Sequence, residues 1–164
     1  MKVLLVNGSP HKKGCTYTAL EEVSKTLLAE GIGTEIFQIG TGPLAGCTDC
    51  GNCSKTGRCI FDDRVNEFLD MAGGADGFVF GSPVHYASAG GSICSFMDRV
   101  FYTDSRSGKR SFYLKPAAAV VSARRAGTTC ALDRLVKYFT ISEMPGISSR
   151  YWDMVHGDRP EEAK

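Results

Sequence analysis

The sequence predicts a doubly wound three-layer α/β domain built on a five-stranded parallel sheet. Two observations carry that prediction. Short apolar runs alternate with stretches of helical period along the whole chain. The runs are also nearly continuous in apolar character, as strands covered on both faces must be. The length agrees, since 164 residues are enough for one domain with a sizeable core.

Each element follows from its own pattern. "KVLLVN" (2–7) is a buried strand. After a loop rich in glycine and lysine, Leu20, Val23, Leu27 and Leu28 recur at i, i+3, i+7 and i+8, the stripe of a helix that ends near Gly31. "TEIFQI" (34–39) is a second strand. "RVNEFLDMAGGA" (64–75) is a helix with Val65, Phe68, Leu69 and Ala72 on one side, and it leads into the strand "GFVFGSP" (77–83). The pattern then repeats: "SICSFMDRVFY" (92–102) is apolar at Ile93, Phe96, Met97 and Val100, "PAAAVVSA" (116–123) is a strand, and "CALDRLVKYFTI" (130–141) is a helix. "MPGISSRYW" (144–152) is expected to hold the last strand, and "TDSRSGKR" (103–110) to be a polar, basic surface loop.

Composition excludes several classes of function. The 43% hydrophobic and 23% charged residues describe a globular protein, not a disordered one. Nineteen basic against eighteen acidic residues leave a formal charge of +1, so no overall field favours nucleic acid or an anionic membrane. The opening "MKVLLVNGSP" is too short in apolar residues for a signal-peptide core, and no run approaches the roughly 18 residues of a membrane span. A cytoplasmic protein is expected. There its seven cysteines (15, 47, 50, 53, 59, 94 and 130) stay reduced, and their clustering points to metal or redox chemistry before a structural disulfide.

In sheets of this kind ligands sit beyond the carboxyl ends of the strands, so the loops there carry the chemistry. The first, "GSPHKKGCT" (8–16), feeds a helix whose N-terminal amides and dipole favour an anion. It is not a Walker A loop, because five residues separate Gly8 from Gly14 and Cys15 stands where the lysine belongs. No G-x-G-x-x-G follows this strand, and "GTGPLA" (40–45), which fits the looser form, leads into a cysteine loop with no helical period. An ordinary strand-to-helix turn is the competing reading. The second loop, "GSPVHYASAGG" (81–91), sets His85 and Tyr86 after a strand, where an aromatic ring and backbone amides can hold a flat, polar-edged heterocycle; a ring capping the core would serve no ligand. The third, "SARRAGTT" (122–129), brings Arg124, Arg125 and Gly127, which are either ligand contacts or solvated charge.

"NGSPHKKGCTYTAL", "CTDCGNCSKTGRCIFDD", "ADGFVFGSPVHYASAGGSICSFMDRVFY" and "KPAAAVVSARRAGTT" resemble, in order and spacing, the NAD(P)H-dependent FMN reductases of flavodoxin-like fold, particularly their iron–sulfur flavoprotein branch. The resemblance spans nearly the whole chain. It implies a single FMN-binding domain over 1–164, with a cysteine-rich loop at about 43–61, that exchanges hydride between NAD(P)H and FMN and passes electrons to a small-molecule or protein acceptor. Carried over by position, Ser9, His11, Gly14, Cys15, Thr16 and Tyr17 would surround the phosphate. Pro83, Val84, His85 and Tyr86 would border the isoalloxazine, with Ser122, Ala123 and Gly127 near its other edge. His85 and Tyr86 are then the candidate catalytic side chains beside the ring. Many relatives have arginine where His11 stands and asparagine where Cys15 stands, which leaves Thr16 and the loop amides to hold a phosphate. Relatives also usually continue into a final helix, which is expected to be lacking after "GDRPEEAK" unless the chain is truncated there, and they imply a homodimer or homotetramer.

Cys47, Cys50, Cys53 and Cys59 form a C-x2-C-x2-C-x5-C pattern. Three thiolates within seven residues and a fourth six further on can wrap one compact 4Fe-4S cluster, as the iron–sulfur flavoproteins do. The spacing differs from the ferredoxin run with its x3 and proline, and it fits zinc poorly, because structural zinc takes two well-separated knuckles. Free or redox-active thiols remain the other reading. Cys94 and Cys130 fall in helical patterns and are expected to be small buried hydrophobes.

Two rivals come from other classes. A cysteine-dependent phosphatase needs C-x5-R, and the positions six after the cysteines hold Glu21, Cys53, Thr56, Cys59, Val65, Val100 and Val136, which excludes it. A flavodoxin-like FMN-binding electron carrier without cluster or turnover stays open. The near-neutral charge favours the enzyme, because such carriers are commonly strongly acidic.

Overall fold

The structure is a computed structural model that describes residues 1–163. Five parallel strands form the sheet: β1 (Lys2–Asn7), β2 (Gly33–Gln38), β3 (Gly77–His85), β5 (Ala117–Ala123) and β6 (Met154–His156), in the order β2-β1-β3-β5-β6. A two-residue strand, β4 (Ser88–Ala89), folds back antiparallel onto the end of β3. Counting only the parallel strands, the order is that of a flavodoxin-like doubly wound sheet, as the sequence predicts.

The helices are α1 (Cys15–Ala29), α2 (Asn52–Thr56), α3 (Arg64–Ala72), α4 (Gly91–Ser107) and α5 (Thr128–Ile141), with a 3-10 turn at Pro160–Glu162. Strand alternation divides the core into two faces. Leu4 and Val6 of β1, Phe78 and Phe80 of β3, and Val121 of β5 meet α3, α4 and α5 on the larger face. Leu5, Val79 and Val120 point the other way, against Leu20 of α1. Beside α1, on that second face, an apolar groove of about 730 Å3 runs past Val23, Leu27, Ile147 and Trp152.

The predicted stripes of α3 and α4 are buried as expected: Val65, Phe68, Leu69 and Ala72 on one, Ile93, Phe96, Met97 and Val100 on the other. On α1 the buried line is Thr16, Leu20 and Ser24, spaced i, i+4 and i+8, whereas Leu28 is exposed. Three expectations are corrected. The segment 103–107 is not a surface loop but the last turn and a half of α4; Thr103 and Asp104 are buried there, and Asp104 accepts the Ser111 amide at 3.0 Å through both oxygens. The last strand lies at 154–156 and not within 144–152. Pro145 and Gly146 reach the sheet only through the isolated bridge of Gly146 to Ala117. Cys130 is exposed on α5, while Cys94 is half-buried against the core.

Phe68 is the hub of the larger core. Its ring lies 5.2 Å from Phe37, 5.3 Å from Phe96 and 6.2 Å from both Phe78 and Phe80, centroid to centroid. Phe68→Ala should therefore cost about 3–5 kcal/mol in a urea unfolding series. Ile141→Ala, at a side chain 83% exposed, should change stability by less than about 0.5 kcal/mol.

Candidate functional site

The strand order reverses between β1 and β3, and a crevice opens there beyond their carboxyl ends. The loop after β1 is fixed by a closed set of hydrogen bonds. The Asn7 carboxamide accepts the Ser9 amide at 3.1 Å and donates to the Gln38 side chain at 2.6 Å, while Gln38 donates back to the Ser9 carbonyl at 2.7 Å. The Ser9 hydroxyl accepts the His11 amide at 3.1 Å. The loop thus delivers Gly14 as the N-cap of α1. No side chain caps the helix there, so its first-turn amides face the crevice without a side-chain acceptor. Thr16 and Ser122 join hydroxyl to hydroxyl at 2.7 Å, tying that turn to the end of β5.

A cavity of about 410 Å3 lies at this point. Its lining includes Ser9, His11, Gly14, Cys15, Thr16, Pro83, Val84, His85, Ser122 and Ala123, so ten of the predicted residues share one space. Tyr86 and Gly127 line an adjoining cavity of about 390 Å3, which shares Val84, Ala123 and Arg124 with the first. Tyr17 lines neither; it stands along α1 with its hydroxyl on the Glu21 carboxylate at 3.2 Å. Sequence reasoning missed Lys13 and the segment Gly157, Asp158, Arg159 and Pro160, which close the larger cavity from the far end of the chain. The Cys15 thiol approaches the Gly157 carbonyl at 3.5 Å, across 142 residues, and no local pattern could have signalled that contact. Burial pushes the Cys15 thiol up; a backbone hydrogen bond opposes this, and the carboxylates of Glu162, Asp158 and Glu161 add to the upward shift. Arg124 pairs with Asp158 at 3.7 Å.

The loop after β3 ends in an unusual turn. The Ala87 amide donates to the His85 carbonyl at 2.9 Å, closing a three-residue turn around Tyr86, whose φ is +62°. Tyr86 is fully exposed at the tip, and His85 is exposed beside it. Gly127, at φ +96°, approaches this turn so closely that a Cβ would stand 2.9 Å from the Ala87 carbonyl.

The four clustered cysteines line a second, smaller pocket together with Phe61, Arg99 and Tyr102. Cys53 is buried on α2 and Cys59 half-buried, while Cys47 and Cys50 are exposed. Among the described residues, no three His, Cys, Asp or Glu side chains are close enough to share one metal ion. Arg99 of α4, only 1% exposed, sends Nε and Nη2 to the Cys59 sulfur at 3.2 and 3.1 Å. Its Nη1 and Nη2 meet the Asp63 carboxylate at 2.8 and 2.9 Å. Burial lowers the pKa of Arg99, but the hydrogen bonds to Asp63 and Cys59 outweigh it and the net shift is upward. Sequence reasoning did not single out Arg99, which reads as one charge on a helix until its burial is seen.

Residues 1–158 match the NADPH-dependent FMN reductase family. The chain belongs to this family. An iron–sulfur flavoprotein of Methanocaldococcus jannaschii is 31% identical over 148 residues, 88% of this chain and 74% of that protein. One from Clostridioides difficile is 32% identical over 129 residues, covering 77% of this chain and only 56% of the relative. An archaeal flavodoxin superimposes with a TM-score of 0.62 at 15% identity, over 91% of this chain and 80% of that one, a likeness of fold. In this member of the family the cavity stands where a doubly wound sheet receives its ligand. No helix among the described residues is long and apolar enough to cross a membrane.

A side chain at positive φ is strained, and glycine relieves the strain. At position 86, Tyr86→Gly should therefore be more stable than Tyr86→Ala by about 1 kcal/mol. In a regular strand or helix the order is the reverse, so thermal unfolding of the two variants checks the turn directly.

Proposed function

We propose that this chain is an FMN-dependent NAD(P)H oxidoreductase that passes electrons to a small-molecule or protein acceptor. One observation carries the reading: an uncapped helix N-terminus opens into a cavity at the switch point of the sheet, lined by small hydroxyl side chains and by Lys13, Arg124 and Arg159 against one carboxylate, Asp158, which pairs with Arg124. That is a setting for a phosphate monoester. The first-turn amides of α1, with Ser9 and Thr16, would hold the phosphate, and Pro83, Val84, His85 and Tyr86 would border the ring, with Ser122, Ala123 and Gly127 at its other edge. FMN, when bound, supplies the hydride chemistry with the nicotinamide, and the protein's part is to bind, orient and tune. His85 or Tyr86, or a backbone amide of their turn, would face the ring and hold a proton there. The hydroxyl pair of Thr16 and Ser122 would keep the phosphate end and the ring end in register.

The donor chemistry of the second pocket supports an iron–sulfur cluster held by Cys47, Cys50, Cys53 and Cys59. A single zinc ion would need its thiolates about 3.8 Å apart, given Zn–S bonds of about 2.3 Å. A cluster gives each thiolate a different iron, so no three sulfurs need to meet at one point. When bound, such a cluster supplies one-electron transfer. The flavodoxin-like carrier without cluster or turnover is the alternative. A cytoplasmic homodimer or homotetramer is part of the proposal, measurable by light scattering.

The purified protein should bind FMN more tightly than riboflavin and should oxidise NADPH or NADH steadily in the presence of an artificial acceptor. Equal affinity for the two flavins would remove the phosphate assignment, and FMN binding without turnover would leave the carrier. Thr16→Ala should weaken FMN by about 1.5–3 kcal/mol while changing riboflavin little.

Protein made without oxygen should contain about four iron and four sulfide per chain. Cys53→Ser should lose the iron and keep FMN. Wild type that takes up no iron under anaerobic reconstitution would leave an FMN reductase with spare thiols.

A further inference from the structure

Of the four clustered cysteines, Cys59 is held on both its backbone and its side chain. The buried Asn66 of α3 accepts the Cys59 amide at 2.9 Å and donates to the Cys59 carbonyl at 3.0 Å. Arg99 reaches the sulfur from the opposite side, from α4, with two N–H groups. The orientation of Arg99 is itself imposed. Asp63 binds it bidentately, and Asp63 is fixed in turn as the N-cap of α3, where it accepts the Val65 amide at 3.1 Å. The Phe61 ring lies 4.7 Å from the guanidinium carbon and shields it on one face. A guanidinium buried this far needs its charge compensated, and one carboxylate provides that. A neutral anchor would hold the loop without that cost, so the charge placed on the sulfur calls for a reason of its own.

We propose that Arg99, oriented by Asp63, is a positioning residue of the cysteine site: it holds the Cys59 sulfur for one iron of the cluster and raises the cluster's reduction potential. The inference rests on the reading of the four cysteines as cluster ligands. Hydrogen bonds to a ligating sulfur withdraw electron density from it, and a nearby fixed cation favours the more negative, reduced state; both act in the same direction. Lysine at this position would keep the charge but lose the planar fork that meets sulfur and carboxylate together.

The test uses anaerobically reconstituted holoprotein. Arg99→Gln should lower the cluster's midpoint potential by at least the equivalent of tenfold in its one-electron reduction constant, about 59 mV. Arg99→Lys should fall between that variant and wild type. Because Arg99→Gln leaves the Asp63 carboxylate unpaired, and that charge itself disfavours reduction, the double variant Arg99→Gln/Asp63→Asn is measured beside it and should fall between the single variant and wild type, still below wild type because both hydrogen bonds to the Cys59 sulfur are lost. Variants that hold a full cluster at the wild-type potential would overturn the proposal, since a mere loop anchor changes how much cluster assembles and not the potential of what does. Wild type labelled with 15N-arginine needs no variant: pulsed EPR of the reduced cluster should detect a coupled 15N, and absence of that coupling overturns the proposal even if no variant retains iron. Wild type that takes up no iron removes the cluster reading and this inference with it, an outcome distinct from an unchanged potential.

Discussion

The constraint on which the rest of the structure depends is the contact of two glycines, Gly8 and Gly81, where the pairing of β1 with β3 ends. The Gly8 amide donates to the Gly81 carbonyl at 2.9 Å, and a Cβ on Gly8 would stand 2.6 Å from that oxygen and 2.7 Å from Ile93. On Gly81, a Cβ would meet Leu20 at 2.8 Å and Thr16 at 2.9 Å. No other residue fits either place without moving backbone or core. The two glycines bring the loop after β1, the loop after β3 and the first turn of α1 into one crevice. A wider spacing would separate the uncapped amides of α1 from the Tyr86 turn and break the hydroxyl pair of Thr16 with Ser122. Close backbone approach of this kind is a characteristic use of glycine beside a ligand site.

Much of this frame is legible in the sequence, because burial on two sides leaves a signal that is local. The strands at 2–7, 77–85 and 117–123 carry buried apolar residues on both faces, the edge strand 33–38 buries Phe37, and α3 and α4 bury the residues that their period selects. The failures have physical causes. Residues 103–107 continue α4, and Asp104 is buried there because both its oxygens accept the single Ser111 amide and not because the residue is apolar. The last strand has only three residues, too few to carry a period. Its predecessor at 144–152 looked more apolar, but Pro145 and Gly146 allow it a single bridge. Cys130 shows the limit of residue type alone, since a helix offers cysteine both a buried and an exposed face.

The candidate site divides along the same line. Residues at the carboxyl ends of strands, and in the loops and first helical turns that follow, were readable, since these places can be located once the strands are known. Ten of them share the larger cavity, and Tyr86 and Gly127 line the one beside it. The segment from Gly157 to Pro160 was not readable, because it enters the site only after the last strand has brought the chain back across the sheet. Arg99 was hidden for another reason. Its role depends on Asp63 and Cys59, 36 and 40 residues away, and a charged residue within an apolar helical stripe gives no sign of which partners bury it.

The two pockets are held in a common frame by side chains that sequence spacing does not connect. Gln38, at the end of β2, donates to the Ser9 carbonyl in the first loop and through its own carbonyl accepts Nε and Nη2 of Arg64 at 3.1 and 2.7 Å. Arg64 also lies 4.1 Å over the Phe37 ring, which fixes it against the core. The residue before it is Asp63, the carboxylate that orients Arg99 on Cys59. One end of α3 therefore joins the first loop, by way of β2, to the cysteine pocket, by way of α4. The consequence is positional. For the proposed flavin and cluster, electron transfer would depend on a fixed separation, and sites carried by regular elements hold such a separation better than sites carried by free loops. Cys47 and Cys50 are exposed on irregular chain and lack this support, whereas Cys59 is tied to the frame on both sides. Of the four cysteines, Cys53 is buried on α2 and Cys59 is the one tied to this frame by side-chain hydrogen bonds, at the place where the buried charge is.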